Sequence, residues 1–263
     1  MPPKLLILGG TAEAAALARA LAGRAEVISS LAGRAGIPDL PGRVRVGGFG
    51  GAAGLEAFLR AEAIGRVIDA THPFAARISA HAETACQALG IPRLVLRRPD
   101  WIRQPGDRWV EVADMAEAAQ RLPDLGRRAF LTVGAGEAAA FAPIRHVWFL
   151  VRLLTVESLP LADHAVITGR PPFTEAAERT LMTEHRIDVL VSKASGGAAT
   201  QAKIAAARHL RIPVLMIRRP APPLGASVDS VAAAVEWLED QDLNEQAESR
   251  KDLPVIKVTL DEL

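Results

Sequence analysis

Short runs of apolar residues alternate with alanine-rich amphipathic stretches along the first part of the chain. The apolar runs predict strands at residues 5–8, 26–29, 44–46, 67–69 and 94–96. The stretches between them are rich in Ala, Leu, Glu and Arg, and they predict helices at residues 12–22, 53–63 and 75–89. Strands that alternate with helices indicate a parallel sheet with right-handed crossovers.

A second series of the same kind follows a break at residues 97–108, where Pro99, Pro105 and Gly106 predict a crossing between domains. Beyond the break, strands are predicted at 109–112, 129–133, 147–151, 165–168, 189–192 and 214–217, and helices at 115–121, 173–184, 199–210 and 227–240. We therefore expect an α/β fold with domains at residues 1–100 and 101–240 and a peripheral tail at 241–263. Within the tail, residues 253–260 alternate as a short strand does.

The two predicted domains end in similar sequence. Residues 90–99 are GIPRLVLRRP and residues 211–220 are RIPVLMIRRP. Each run is a turn, an apolar strand and an Arg-Arg-Pro ending. The repeat supports two open α/β sheets that face each other across a cleft, and such sheets bind ligands at the carboxyl ends of their strands.

Composition narrows the class of protein. Lys and Arg number 31 against 30 Asp and Glu, and this balance argues against a nucleic-acid partner. No run reaches the ~20 apolar residues that span a bilayer, and the N-terminal run is too short for a signal peptide. The single cysteine, Cys86, cannot form an internal disulfide. These features predict a soluble cytoplasmic protein with no membrane partner.

The first strand leads into a turn that suits a phosphate. Gly9, Gly10 and Thr11 precede Ala12, where the first helix is predicted to begin. Glycine lets the backbone approach a pyrophosphate closely, and the helix start offers unpaired N–H groups. Thr11 would add a hydroxyl donor. The spacing departs from G-x-G-x-x-G, so an ordinary strand-to-helix turn is the alternative.

The second strand ends in hydroxyl residues and an arginine. Ser29, Ser30 and Arg34 stand where an NAD-binding sheet usually carries an acidic residue for the ribose hydroxyls. Hydroxyls and a guanidinium favour a 2′-phosphate instead. The pattern predicts NADPH as the cofactor, with an ordinary polar loop as the alternative.

A glycine-rich loop follows the third strand. Gly48, Phe49 and Gly50 lie within Gly-Gly-Phe-Gly-Gly at residues 47–51. So many glycines are entropically unfavourable unless the backbone takes unusual angles or lies against a ligand. We expect these residues to contact the cofactor, and a flexible turn is the alternative.

The fourth strand ends in Thr71 and His72, followed by Pro73 at a predicted helix start. Thr71 is expected to contact the cofactor. His72 is a candidate for binding and for general-acid catalysis, because an imidazole changes charge near neutral pH.

In the second domain, Lys193, Ser195 and Gly196 follow an apolar strand, and Arg170 precedes a predicted helix. Cations and loop N–H groups make an anion site, and solvated loops are the alternative. The predicted substrate contacts are His72, Phe74, Arg170, Lys193, Ser195 and Gly196.

Read in chain order, five short motifs resemble the precorrin-6A reductase family. They are ILGGTAE at 7–13, SLAGR at 30–34, GGFGG at 47–51, DATHPFA at 69–75 and RPDW at 98–101. The resemblance implies two Rossmann-like domains and, in cobalamin biosynthesis, hydride transfer from NADPH to C19 of precorrin-6A with a proton added at C18, giving precorrin-6B. It implies neither a metal nor a flavin, and it leaves room for contacts with neighbouring pathway enzymes.

The implied substrate is a polycarboxylated tetrapyrrole, which cations at the cleft would bind. The candidates are Arg97, Arg98, Arg103, Arg170 and Lys193. The proton could come from His72, a lysine or water. Competing hypotheses are a cobalt-precorrin-6A reductase, another NADPH-dependent reductase or epimerase on this fold, and a non-catalytic NADPH sensor. The chain has no tyrosine, which excludes the Tyr-x-x-x-Lys chemistry of short-chain dehydrogenases.

Overall fold

The computed structural model describes residues 4–33, 36 and 38–251. Its strands, in chain order, are β1 (Lys4–Leu8), β2 (Val27–Leu31), β3 (Arg43–Val46), β4 (Ile64–Asp69), β5 (Arg93–Leu96), β6 (Trp109–Val112), β7 (Arg128–Leu131), β8 (Trp148–Leu153), β9 (His164–Thr168), β10 (Val189–Lys193), β11 (Val214–Ile217) and β12 (Ser227–Val228). Its helices are α1 (Ala12–Ala20), α2 (Ala52–Ala61), α3 (Ala76–Leu89), α4 (Met115–Leu125), α5 (Ala135–Ala138), α6 (Glu175–Glu184), α7 (Ala202–His209) and α8 (Val231–Lys251).

The continuous apolar sequence of β1 accounts for its place at the centre of the first sheet. Leu5 and Ile7 pack with α1 and α8 in one buried cluster, while Leu6 and Leu8 pack with α2 and α3 in another. A parallel strand that is covered on both faces lacks the polar alternation of a half-exposed strand. Each of these fully buried side chains contributes about 1.5–3 kcal/mol relative to exposure.

The first sheet is parallel throughout, in the order β12-β5-β4-β1-β2-β3. With β12 counted as the sixth strand, this is the order 3-2-1-4-5-6 of dinucleotide-binding sheets. The connections change direction between β1 and β4. The carboxyl ends of these two strands therefore form the crevice where a ligand is expected.

The second sheet is also parallel, in the order β6-β11-β10-β7-β8-β9. If β7 is counted as the first strand and β6 as the sixth, the order is again 3-2-1-4-5-6. Its connections change direction between β7 and β10. The predicted α/β fold with two parallel sheets is confirmed.

Each sheet receives its sixth strand from a segment beyond the other sheet's fifth strand. After β5, the chain crosses to the second sheet and pairs β6 with β11. After β11, it returns and pairs Ser227 and Val228 of β12 with Val95 and Leu96. The last helix, α8, then packs against α1 and β5 of the first sheet.

The prediction of one helix at 227–240 within the second domain is therefore wrong in two respects, namely the residue at which the helix begins and the sheet against which it packs. Ser227 and Val228 are a strand, and α8 begins at Val231 because the Ser230 hydroxyl accepts from the Ala233 N–H at 3.3 Å. The helix continues through the first part of the predicted tail to Lys251. The strand predicted at 253–260 lies outside the described residues.

Smaller differences have local causes. The helix predicted from residue 173 begins at Glu175, because the Thr174 hydroxyl caps it by accepting from Ala177 N at 3.2 Å. Helix α5 is too short to show a period and was not predicted. Among the described residues, none of the helices combines the length and apolar character that a bilayer crossing requires.

Candidate active site between the two sheets

The turn between β1 and α1 lies at the switch point of the first sheet. Gly10 has φ +105°, a backbone angle that favours glycine. The Thr11 hydroxyl accepts from Ala14 N at 3.1 Å and donates to the Ala70 carbonyl at 2.8 Å, which ties the turn to the end of β4. Its one hydrogen is thus used within the protein. What the turn offers a phosphate is the set of main-chain N–H groups at the start of α1, from Ala12 onward.

The two serines at the end of β2 have different surroundings. The Ser29 side chain is buried, and its hydroxyl has no hydrogen-bond partner among the described residues. The Ser30 hydroxyl lies 3.4 Å from Nη1 of Arg45. The Ser30 carbonyl accepts from Gly9 N at 2.9 Å, so the end of β2 adjoins the glycine turn. Arg34, the predicted cation of this region, lies outside the described residues.

The loop at residues 47–51 is folded around Arg45, a residue that the sequence analysis did not select. Nη1 of Arg45 donates to the Gly47 carbonyl at 2.6 Å, and Nη2 donates to the Gly48 carbonyl at 2.7 Å. The Phe49 ring lies 3.8 Å from the guanidinium carbon. Gly50 has φ +80°, in the left-handed region. The way the loop folds around Arg45 therefore accounts for glycines here, whether or not the loop also contacts a ligand.

A cavity opens beside the end of β4. Oδ1 of Asp69 accepts from the Thr71 N–H at 3.2 Å and from the Thr71 hydroxyl at 2.7 Å. Asp69 is buried, and its Oδ2 makes no hydrogen bond among the described residues. The cavity has a volume of about 210 Å³, and its lining includes Asp69, Thr71, His72, Glu83, Arg97 and Pro222. A buried, unpaired carboxylate oxygen at its wall is an acceptor for a polar ligand group.

His72 is held as a neutral imidazole. Its Nδ1 accepts from the Phe74 N–H at 3.2 Å, so Nε2 carries the hydrogen of the neutral ring. Burial, and to a smaller extent the nearby charges of Lys193 and Arg98, lower the pKa of His72 to about 3. At neutral pH the ring is therefore an uncharged hydrogen-bond donor. Burial and the neighbouring positive charges disfavour the protonated ring that a cationic general acid requires.

Lys193, the last residue of β10, brings a cation next to Phe74, which follows β4. Nζ of Lys193 lies 5.2 Å from the centre of the Phe74 ring and pairs with both carboxylate oxygens of Glu137, at 2.8 and 2.9 Å. Oε2 of Glu137 also accepts from Gly134 N at 2.8 Å. Glu137, in the short helix α5 that follows β7, was not predicted from the sequence. Phe74 packs against the core of the second sheet, so these contacts join the two halves.

Arg98 and Arg219, from the two Arg-Arg-Pro runs, bind the loop after β10 to the crossings. Arg98 donates to the Ser195 carbonyl at 2.8 Å and pairs with Glu13 of α1 at 3.1 Å. Arg219 donates to the carbonyls of Ala194 and Ser195 at 2.7 and 3.0 Å. These bonds fix the loop against the segment that follows β5.

Ser195 and Gly196 thereby face protein groups. Ser195 is buried, and a Cβ on Gly196 would stand 2.1 Å from the Pro99 carbonyl. Close contact with Pro99, in the segment that crosses between the sheets, therefore accounts for a glycine at position 196 without any ligand. Arg170 lies elsewhere, because its Nη2 is 3.6 Å from the position that a Cβ on Gly36 would take. The structure thus places Lys193, His72 and Phe74 together and Arg170 beside the connection from β2 to β3.

Comparison with known proteins agrees with this architecture. A family model described as Precorrin-6x reductase CbiJ/CobK matches residues 4–239. The precorrin-6A reductase of Rhodococcus erythropolis is 52% identical over 240 residues, which cover 89% of this chain and 97% of that protein. The cobalt-precorrin-6A reductase of Salmonella typhimurium is 29% identical over 236 residues, which cover 83% of this chain and 88% of that protein.

A solved structure, described as CobK precorrin-6A reductase, has the same fold. It matches with a TM-score of 0.86 and 41% sequence identity, and the match covers 90% of this chain and 96% of that one. The resemblance that five short motifs indicated extends through both sheets. The chain belongs to the precorrin-6x reductase family of oxidoreductases.

Proposed function

We propose that this chain is an NADPH-dependent precorrin-6A reductase. A hydride is added at C19 of the macrocycle and a proton at C18, which gives precorrin-6B. The observation that carries the proposal is the glycine turn at the switch point of a sheet with dinucleotide-binding order, in a chain that is 52% identical to a precorrin-6A reductase.

NADPH would lie along the carboxyl edge of the first sheet. The glycine turn would hold the pyrophosphate, and the cavity beside β4 would receive the nicotinamide end, where Oδ2 of Asp69 is an acceptor for a carboxamide N–H. Bound there, NADPH supplies the hydride. The protein's part is to bind and orient the reactants and to exclude water. The proposed cofactor contacts are Gly9, Gly10, Thr11, Ala12, Ser29, Ser30, Arg34, Gly48, Phe49, Gly50 and Thr71.

The substrate would enter between the two sheets, next to His72, Phe74 and Lys193. Lys193 is paired with Glu137, so a substrate carboxylate would compete with Glu137 for its ammonium group. Neutral His72 would donate through Nε2 as a hydrogen-bond donor. With the ring uncharged, we propose that the proton at C18 comes from a lysine or from water.

A metal-free substrate is favoured over the cobalt form. The precorrin-6A reductases among the similar proteins are 41–52% identical to this chain, whereas the cobalt-precorrin-6A reductases are 26–31% identical. This difference supports precorrin-6A itself as the substrate.

The test is a parallel assay of two substrates. The chain is mixed with NADPH and either precorrin-6A or cobalt-precorrin-6A, and loss of nicotinamide absorbance is followed together with the mass of the product. We expect precorrin-6A to be consumed with one equivalent of NADPH and to gain one hydride and one proton. Preferred turnover of the cobalt substrate would make the chain a cobalt-precorrin-6A reductase. NADPH binding without substrate-dependent oxidation would make it a sensor.

A further inference from the structure

Near its carboxyl end, β3 presents a cation beside the end of β2. Arg45 is the register partner of Ser30 in the parallel pair, and its guanidinium lies next to the Ser30 hydroxyl. The Gly9 N–H donates to the carbonyl of the same serine. Two strand spacings, about 10 Å, therefore separate β3 from the strand that carries the glycine turn.

Within the described part of the chain, Arg45 differs from the other arginine of its strand in having no acidic partner. Arg43 is paired with Glu62 through two hydrogen bonds of 2.7 and 2.8 Å. Arg45 is half-buried, and among the described residues it has no carboxylate partner. Burial accordingly lowers the pKa of Arg45, whereas the hydrogen bond with Glu62 raises the pKa of Arg43. A partly buried charge without a counter-charge is a favourable place for an anion.

The surroundings hold the Arg45 guanidinium in one orientation. It lies over the Phe49 ring, and the carbonyls of Gly47 and Gly48 accept two of its hydrogen bonds. Gly47 has φ +115°, and a Cβ on Gly54 would stand 1.7 Å from the Phe49 carbonyl, so both glycines are needed for the loop to fold back over the arginine. A guanidinium has five N–H donors, and the contacts with Ser30, Gly47 and Gly48 use three. The other two have no acceptor among the described residues and remain for a ligand.

We propose that Arg45, assisted by the Ser30 hydroxyl, binds the 2′-phosphate of the cofactor and makes this enzyme select NADPH over NADH. This inference rests on the proposed function, because it requires a phosphorylated ribose at the end of β2. A preoriented guanidinium binds a phosphate with two parallel hydrogen bonds, and its restrained side chain loses little entropy on binding. The glycine-rich loop then serves recognition through Arg45.

The experiment measures binding to the full chain by calorimetry with 2′,5′-ADP and 5′-AMP, which differ only in the 2′-phosphate. Arg45→Met keeps an apolar stem over Phe49 and removes the charge. We expect the wild-type protein to prefer 2′,5′-ADP and Arg45→Met to weaken its binding about tenfold to hundredfold, with 5′-AMP binding unchanged. The matched control is Arg43→Met, which removes a cation that Glu62 already neutralises, and it should alter neither affinity.

The outcomes separate this inference from the proposed cofactor. Equal wild-type binding of the two nucleotides would contradict the selection of NADPH itself. A wild-type preference that survives in Arg45→Met would overturn the role of Arg45 and leave the cofactor proposal intact. Equal weakening of both nucleotides would show that Arg45 only shapes the loop, which also overturns the inference. Should Arg45→Met fail to fold, Arg45→Lys decides, because an unaltered preference in that variant contradicts recognition by a guanidinium.

Discussion

His72 links the acidity of the solution to the stability of the fold. The pKa of His72 is about 3 in the folded protein against an ordinary value of 6.5. Between these values the unfolded chain binds a proton that the folded chain does not. The contribution of neutral His72 to stability is therefore fully present above about pH 6.5, and it is lost progressively as the pH falls towards 3. The difference amounts to on the order of 2 kcal/mol at pH 5.

Replacement of His72 should remove this part of the acid sensitivity. We expect the free energy of unfolding, measured in urea at pH 7 and pH 5, to decrease less on acidification in His72→Gln than in the wild-type protein. His146 is exposed, so His146→Gln is the matched control and should retain the wild-type difference. An unchanged difference in His72→Gln would show that the ring is accessible to protons in the folded state.

Individual residues show where sequence analysis reached its limit. The pattern identified the glycine turn and the end of β4 because each follows an apolar strand directly. It assigned the Thr11 hydroxyl to a phosphate, and it passed over Arg45. Both depend on contacts between residues distant in sequence, namely Thr11 with Ala70 and Arg45 with Ser30. An apolar pattern determines which face a side chain occupies but not which neighbour it meets there.

At the scale of elements, the two similar runs at 90–99 and 211–220 mark equivalent places in the two sheets. Gly90 and Arg211, at the first position of each run, both have positive φ, at +64° and +56°. In both sheets the strand that follows is the fifth, and the chain then leaves for the other sheet. The sequence predicted the repeat, but the exchange was not predictable because the two residues of β12 are too few to show a period.

The Arg-Arg-Pro endings stabilise these crossings, and Arg219 makes more hydrogen bonds to main-chain carbonyls there than Arg98 does. Its side chain is 6% exposed and also donates to the carbonyls of Arg98 and Pro99 at 3.0 and 3.1 Å. Arg219→Met should lower the free energy of unfolding by about 2–4 kcal/mol, because it leaves several carbonyls without a donor. The neighbouring Arg218 is exposed, and Arg218→Met should change stability by less than about 0.5 kcal/mol. Urea unfolding of both variants tests this, and equal effects would contradict it.

At the scale of the molecule, the first sheet depends on the segment of chain that returns to it after the second sheet. The first sheet is completed by β12 and covered by α8, whose Ala234 and Leu238 are buried beside Leu17 and Leu96. These elements come after the whole of the second sheet in the chain. A fragment that ends at β5 therefore lacks part of its own core. The predicted boundary at residue 100 divides the two series of strands and helices in the sequence. In the structure, β12 and α8 lie beyond that boundary and still belong to the first sheet.

A chain that ends at Ala226 tests this dependence, since it retains every strand of the second sheet and loses β12 and α8. Loss of α8 exposes buried side chains of the first sheet, each worth about 1.5–3 kcal/mol, so we expect its amide protection and its 2′,5′-ADP binding to be lost. Protection in β7 and β8 should persist to a greater degree. The control is a chain that ends at Lys251, which keeps all of α8 and should melt as the full chain does. If the Ala226 chain retained nucleotide affinity and protection in β4 and β5, the returning segment would be dispensable and the first sheet would be stable without its sixth strand.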